Sequence, residues 1–458
     1  MNVVFISQEC FPFASVSGLA NLTCILAKDI EKLGHNVTIL IPRYSSIDPL
    51  FFHIERLPIE FKINFNGTQT NIILYKGVIP NSLVSVFLIE SQNHFSNSKE
   101  IYLADDKDNE ERNRFFSLAS LDVISKLKLD PNVIHIFNAG TAHIAKLLRS
   151  KNVEYAHLNK TSLIFTIHNL IGLKNDALKD TNEAIKLSDF ITATSDSFAT
   201  ELLSDTQRIS KIGLSESLIQ KKDLFLGILS GTDEELYNPE TDNEIAQTYS
   251  KNYFSIGKRK CKEDLQGITG LEKNPQVPLF GFVGRLNEEK GIEILIDALP
   301  QISHLNMQFV ILGKGIFEQE LIKITERYKN VKVLTGFDYN LSKKIYAGSD
   351  FFISTSKCET GGTSILNAMK YGSVPVAHCK GAVTEIVLDM ENGIIFTEYD
   401  EINFLEAINK AIKYYKNKEK WPRLVKQTMS FYLNPLDIAK KYENCYEKAN
   451  KRMKIFCN

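Results

Sequence analysis

The chain has 458 residues, 43% hydrophobic and 24% charged, and 54 lysines and arginines against 55 aspartates and glutamates leave a formal charge of −1. That length suffices for two ordinary domains, each with its own core, and near-neutrality excludes a polyelectrolyte attraction to nucleic acid or an anionic membrane. The seven cysteines (Cys10, Cys24, Cys261, Cys358, Cys379, Cys445 and Cys457) are odd in number and scattered, without a C-x-x-C pair. Neither a zinc site nor a disulfide framework is expected. Reduced thiols, a strand from residue 3 that leaves no room for a targeting peptide, and the lack of an apolar run of membrane-spanning length predict a cytoplasmic protein.

Taken in chain order, short apolar runs alternate with helical patterns along almost the whole length. The first half carries VVFIS (3–7), VTILIP (37–42), VSVFLIE (84–90), VIHIF (133–137), SLIFTIHN (162–169) and FITATS (190–195). The second carries LFGFVG (279–284), QFVILG (308–313), VKVLTG (331–336), FFISTS (351–356), VPVAHC (374–379) and GIIF (393–396). Runs without strict alternation are what strands covered on both faces look like. Segments such as 291–302 and 317–328 place apolar residues at three- and four-residue steps, as helices do.

This alternation predicts an α/β chain of two doubly wound, Rossmann-like domains with parallel sheets. The polar stretch 237–264 reads as the crossing between them, giving domains at 1–240 and 241–435. Residues 436–458 are expected to supply a helix that packs back on the first. Two such domains facing one another would place a ligand in a deep cleft between their strand ends.

Five constellations could carry chemistry. In LFGFVGRLNEEKG (279–291), Arg285 and Lys290 flank the entry to a helix; a planar fork, a point charge and a helix amino end all suit phosphate oxygens. They could equally be solvated cations at a helix start. In TGFDYN (335–340), Phe337 follows a strand and could stack on a nucleobase or sit in the core. In CETGGTS, Glu359 precedes Gly361, Gly362, Thr363 and Ser364, a helix start whose N–H groups could hold a diphosphate. Glu359 could then offset the charge of an oxocarbenium-like transition state, or simply favour the helix dipole. In FTIHN (165–169), His168 ends a buried strand at its carboxyl edge. The loop PFASVSGLANL (12–22) has one glycine, Gly18, a weak phosphate-binding signal. No metal-ligand cluster is visible, so the phosphate charge would fall to Arg285, Lys290 and helix dipoles.

Together these stretches resemble the bacterial glycogen synthases and plant starch synthases, retaining glucosyltransferases of the GT-B type. The resemblance covers nearly the whole chain and is strongest in ECFPFASVSGLA, GHNVTILIPRY, DNEERNRFFS, FTIHNL, GILSGTDEELYNPETD, GRLNEEKG, YAGSDFFISTS and YGSVPV. It implies glucose transfer from ADP-glucose or UDP-glucose, without a further cofactor, to a glucan or a smaller acceptor. Arg285 and Lys290 would bind the donor diphosphate, with Gly18, Gly361, Gly362, Thr363 and Ser364 on the donor side. His168 and Asn169 would contact the donor glucose, Phe337 would meet the base, and Glu359 and His168 would be catalytic.

The chain also departs from the family pattern. The family's K-x-G-G-L is Ser15–Leu19 here, which lacks a cation and one glycine. An acid at the end of one strand is Asn138. Only 17 residues separate FTIHN from LSDFITATS, where the family has a much longer insert. A glucan groove would then need surface from a protein partner. A second function remains open, that of a weakly catalytic relative regulating through glucan or nucleotide-sugar binding. A third is a nucleotide-sugar enzyme, such as an epimerase, on the same scaffold.

Overall fold

A computed structural model describes the chain apart from residues 104, 151–152, 171–172, 205–212, 337 and 457–458. Its contacts form two compact units, Met1–Gly231 with Asn434–Asn458, and Thr232–Leu433.

The first unit is built on a nine-stranded sheet. In chain order its strands are β1 (Asn2–Ile6), β2 (Asn36–Pro42), β3 (Glu55–Phe65), β4 (Thr68–Val78), β5 (Ser85–Glu90), β6 (Val133–Phe137), β7 (Ser162–Ile167), β8 (Phe190–Ala193) and β9 (Phe225–Gly227). They lie in the order β3-β4-β5-β2-β1-β6-β7-β8-β9. Seven of them, from β5 to β9, run parallel. The chain winds from β1 outward through β2, then returns to the other side of β1 for β6. The β1/β6 border is therefore the switch point at which such sheets open a crevice.

The other two strands correct the expectation of a wholly parallel sheet. β3 and β4 form an antiparallel hairpin, and β4 also pairs antiparallel with β5. Their residues alternate between covered and exposed, as strands with one wet face do. A search for continuous apolar runs passes over such segments, and it also passes over the three-residue β9.

The helix Gly18–Lys32 is capped by the Ser17 hydroxyl and buries Leu19, Leu22, Leu26 and Ile30 at helical spacing. The C-terminal helix Pro435–Phe456 packs on that helix and on β7 and β8. It is fixed by a buried polar chain. His135 of β6 bonds the Tyr446 hydroxyl through Nδ1 at 2.9 Å and the Thr166 hydroxyl through Nε2 at 2.6 Å. Burial pushes the His135 pKa down to about 3 from its usual 6.5.

The second unit holds a six-stranded, wholly parallel sheet. Its strands are β10 (Leu279–Val283), β11 (Gln308–Gly313), β12 (Val331–Thr335), β13 (Phe351–Ser354), β14 (Val374–His378) and β15 (Ile394–Phe396). Their order is β12-β11-β10-β13-β14-β15. Here the switch point falls between β10 and β13. The core on the sheet takes Phe280, Phe282, Phe309, Ile311, Phe351 and Ile353 together with Ile292, Leu295 and Leu299 of the helix Ile292–Ser303.

The polar stretch 237–264 belongs to this unit, and its second part enters the helix Phe254–Thr269. Most of its polar residues are exposed, but Asp242, Lys258 and Lys262 are buried with partners. The Lys258 ammonium donates to the carbonyls of Ala347, Ser349 and Tyr371 at 2.8–3.1 Å. Asp242 accepts from Tyr371 and Lys343. These three buried groups tie an otherwise exposed polar stretch to the second unit.

His135 yields a pH prediction. Its folded pKa is depressed, so below about 6.5 the unfolded chain binds a proton that the native state refuses. Stability should fall as the pH drops from about 6.5 toward 3, by about 1.4 kcal/mol per pH unit for this one group. Denaturant titrations at pH 7 and pH 5 should show a loss in the parent that exceeds the loss in His135→Gln by ~2 kcal/mol. Equal losses in the two proteins would mean that His135 is not the group responsible.

Candidate active site

At the carboxyl end of β10 the chain passes through Gly284 and Arg285 into a single 3₁₀ turn, Glu288–Lys290. The Asn287 side chain caps this turn by accepting from the Lys290 N–H at 3.2 Å. The loop is held from both sides. Leu286 N donates to Lys314 O and Phe317 N to Leu286 O, while the Thr355 hydroxyl donates to the Lys290 carbonyl at 2.8 Å. Gly291 follows in the left-handed region, and a Cβ there would lie 2.0 Å from Thr355 O. Lys290 thus ends the turn before the helix Ile292–Ser303.

The neighbouring strand β13 ends at Ser354 and leads into the turn that carries Glu359. The backbone of Glu359 bridges to Gly381, and its carbonyl accepts from Ala382 N at 2.7 Å. Gly381 has φ +60°, and a Cβ on it would fall 2.1 Å from Glu359 O. Gly361 and Gly362 are buried in the same turn, and Gly362, at φ +67°, precedes the helix Thr363–Lys370. Thr363 and Ser364 open that helix half-buried.

The two loops flank the β10/β13 switch point, and there they meet. Lys290 Nζ lies 2.7 Å from Glu359 Oε2, with side chains 23% and 12% exposed. The Ser356 hydroxyl donates to the same oxygen at 2.8 Å, and Gly362 N–H reaches Oε1 at 3.3 Å. Burial acts to raise the Glu359 pKa, but the Lys290 charge, its hydrogen bond, Ser356 and Gly362 together outweigh it and hold the carboxyl below its ordinary value. Glu359 is therefore ionised at neutral pH. Arg285 is 47% exposed and paired with Glu289 at 2.8 Å.

The first unit carries the remaining predicted residues. Gly18 is the first residue of its helix. His168 and Asn169 are half-buried just past β7. Asn169 N–H donates to the Asn138 side-chain oxygen at 3.1 Å. Asn138 itself stands at φ +61° at the end of β6. Phe337 lies outside the described residues.

Sequence reasoning missed three acidic or hydroxylic groups. Ser356 and Glu289 are described above. The third is Glu9, fully buried beside the first loop. Glu9 Oε2 accepts from the N–H groups of Val16 and Ser17 at 2.7 and 2.8 Å. Its Oε1 accepts from the hydroxyls of Ser17 at 2.7 Å and Tyr102 at 2.5 Å. An acid three residues past a buried strand, ahead of a loop that lacks a cation, was the available signal.

The comparisons agree over the full length. The starch synthase catalytic domain pattern matches residues 2–218, and the pattern of glycosyl transferases group 1 matches residues 268–428. Glycogen synthase of Thermotoga maritima is 31% identical over 98% of this chain and 99% of its own. Glycogen synthase of Geotalea daltonii is 30% identical over 97% and 98%. Among solved structures, the catalytic domain of starch synthase IV from Arabidopsis thaliana, bound to ADP and acarbose, superposes with a TM-score of 0.89 at 28% identity. That match covers 98% of this chain and 99% of the other. Sucrose-phosphate synthase of Thermosynechococcus elongatus, at 15% identity and a TM-score of 0.65, shares the fold.

The ion pair predicts a coupling. Lys290→Ala leaves the Glu359 carboxylate buried with only Ser356 and Gly362 to meet it. Breaking one side of such a pair should destabilise the protein by about 2–4 kcal/mol. Adding Glu359→Gln to that background removes the stranded charge and should recover more than half of the loss. Thermal unfolding of the two variants checks this, and additive effects would show that the two groups do not interact.

Proposed function

The chain belongs to the glycogen and starch synthase family and is a glycosyltransferase, and we propose that it moves glucose from ADP-glucose or UDP-glucose to a glucan or smaller saccharide with retention. The observation that carries this reading is the Lys290–Glu359 contact on the two loops of the β10/β13 switch point. One carboxylate, one half-buried cation and a helix start stand there together. An ammonium has three donors, so Lys290 can hold Glu359 and a phosphate oxygen at once.

In the reaction the bond between the anomeric carbon and the diphosphate oxygen breaks, and its electron pair leaves with the nucleoside diphosphate. Arg285 and Lys290 would bind that growing negative charge through charge-assisted hydrogen bonds, with N–H groups at the start of Thr363–Lys370 beside them. We assign the neutralisation to these groups rather than to a metal ion. Glu359 would offset the positive charge that spreads over the anomeric carbon and ring oxygen. The acceptor oxygen forms the new bond, and its proton passes to the departing phosphate. His168 and Asn169 would hold glucose hydroxyls, and Phe337 the base. ADP in the starch synthase IV structure supports a nucleoside diphosphate as the leaving group.

On the acceptor side, the segment that is short in this chain is filled by the helix Asn175–Leu187. Long glucans would then call for more surface than the chain supplies, and a protein partner could add it. Short maltooligosaccharides should be the better acceptors of the isolated chain, measured as glucose incorporated per minute against glycogen of equal chain-end concentration. Glycogen as the faster acceptor would overturn this assignment.

The transfer reading is tested with radiolabelled ADP-glucose and UDP-glucose in the presence of maltotriose. Glu359→Gln keeps the shape and removes the charge, so transfer should drop about a hundredfold to a thousandfold. Donor affinity should change far less. Arg285→Ala should weaken donor binding by roughly tenfold to a hundredfold, the loss of one charge-assisted contact. A parent that binds the donor but never transfers glucose would favour the regulatory reading. A Glu359→Gln variant as active as the parent would remove Glu359 from the chemistry.

A further inference from the structure

Between β13 and Glu359 run Thr355, Ser356, Lys357 and Cys358, and the first three each reach the site by a different group. The Thr355 hydroxyl donates to the Lys290 carbonyl at 2.8 Å. The Ser356 hydroxyl donates to Glu359 Oε2 at 2.8 Å. Lys357 N–H donates at 3.0 Å to the carbonyl of Glu289, the partner of Arg285. Where this short segment lies therefore bears on where Lys290, Glu359 and Arg285 stand.

The segment is anchored from the next strand. His378, the last residue of β14, is buried, and its Nδ1 lies 2.9 Å from the Ser356 carbonyl oxygen. A carbonyl only accepts, so the ring proton sits on Nδ1 and His378 donates. The ring packs on Phe396 and Tyr399, at 5.4 and 5.0 Å between centres. Tyr399 in turn reaches the first helix turn after Lys290, where its hydroxyl donates to Glu293 Oε1 at 3.4 Å. Lys357 Nζ meets the same oxygen at 2.5 Å. Ser356 is thus held by β14, and Lys357 by the helix that follows Lys290.

Packing alone does not call for a histidine beside Phe396 and Tyr399. An apolar residue would fill the same space but would leave the Ser356 carbonyl without this donor. We propose that His378 is a positioning residue for glucose transfer, which fixes the Ser356 peptide and with it the hydroxyl that meets Glu359. The contacts run from His378 Nδ1 to Ser356 O, and from Ser356 Oγ to Glu359 Oε2. A carboxylate turned away from the anomeric carbon would still be charged, but it would offset less of the positive charge that develops there. The inference rests on Glu359 serving the transfer.

The test is a double-mutant cycle on the full chain, with ADP-glucose and UDP-glucose as donors and maltotriose as acceptor. His378→Leu removes the hydrogen-bond donor, and His378→Asn keeps an N–H near the place of Nδ1. In His378→Leu, kcat should fall tenfold to about a hundredfold, while the donor dissociation constant stays within about threefold of the parent's. His378→Asn should regain most of that loss. Ser356→Ala should itself lower kcat, and adding His378→Leu to it should cost less than about threefold more, since a residue that acts through Ser356 has nothing left to place. Hydrogen exchange over 354–362, read without donor, should quicken in His378→Leu and return to the parental rate in His378→Asn. Should the leucine variant not fold, His378→Phe takes its place in the cycle. Losses that multiply in the cycle, a His378→Leu variant as active as the parent, or an asparagine variant as impaired as the leucine one would each overturn the assignment. If Glu359→Gln is inactive while His378→Leu is fully active, only the role of His378 falls. A parent that transfers no glucose, or a Glu359→Gln variant as active as the parent, overturns the transfer role of Glu359 and this inference together.

Discussion

A carboxylate with little access to water requires a partner, and much of the second unit is arranged to give Glu359 one. Lys290 stands 69 positions earlier in the chain and meets it at 2.7 Å. Only strand order makes this possible. β10 and β13 are hydrogen-bonded neighbours, although β11 and β12 intervene in sequence. The loops that leave their carboxyl ends therefore face one another across the switch point. Leaving such a charge without its counter-ion would cost several kcal/mol. The close approaches at Gly291 and Gly381, the cap from Asn287 and the Thr355 bond to Lys290 O all constrain where the two charges stand.

The same requirement explains what could be read from the sequence. Strands covered on both faces are mostly apolar, so β1, β2, β6, β7, β10, β11 and β14 show as near-continuous runs, interrupted by few polar residues such as His135 and Thr166. The hairpin β3–β4 lies at the sheet edge with alternate residues exposed, and its pattern is diluted by Glu55, Glu60 and Lys62. Arg285, Lys290, Glu359 and the glycines after it were visible because each breaks a local pattern at a strand end. Their pairing was not visible. A sequence shows that an acid stands in a turn, but not that a lysine three strands earlier in the chain neutralises it. Buried polar groups such as Lys258, Asp242 and Glu9 were hidden for the converse reason, since composition alone makes them look like surface.

A cavity of about 440 Å³ in the first unit was illegible for a further reason. Its residues come from a hairpin tip, a loop and a helix start, spread over 65–112. The stretch DNEERNRFFS supplies Asp108, Glu111 and Arg112, but nothing in the sequence joins it to the other two segments. The asparagines and threonines among them read as turn formers, which locally they are, and only the hairpin's run past β5 brings them round one space.

The first loop shows how the two units divide the charge. Backbone N–H groups at a helix start bind anions only while they lack acceptors. Here the N–H groups of Val16 and Ser17 are taken by the Glu9 carboxylate, and that of Leu19 by the Ser17 hydroxyl. A buried anion already occupies the role that a phosphate oxygen would play. With no lysine at Ser15 or Ser17 to offset it, the negative potential of Glu9 works against a diphosphate at this loop. In the second unit carboxylates also meet the cations, Glu359 at Lys290 and Glu289 at Arg285, but the Lys290 ammonium keeps donors beyond the one it gives to Glu359. Glu9 thus leaves the β1 loop self-satisfied, whereas the Lys290 ammonium does not spend all its donors on its carboxylate.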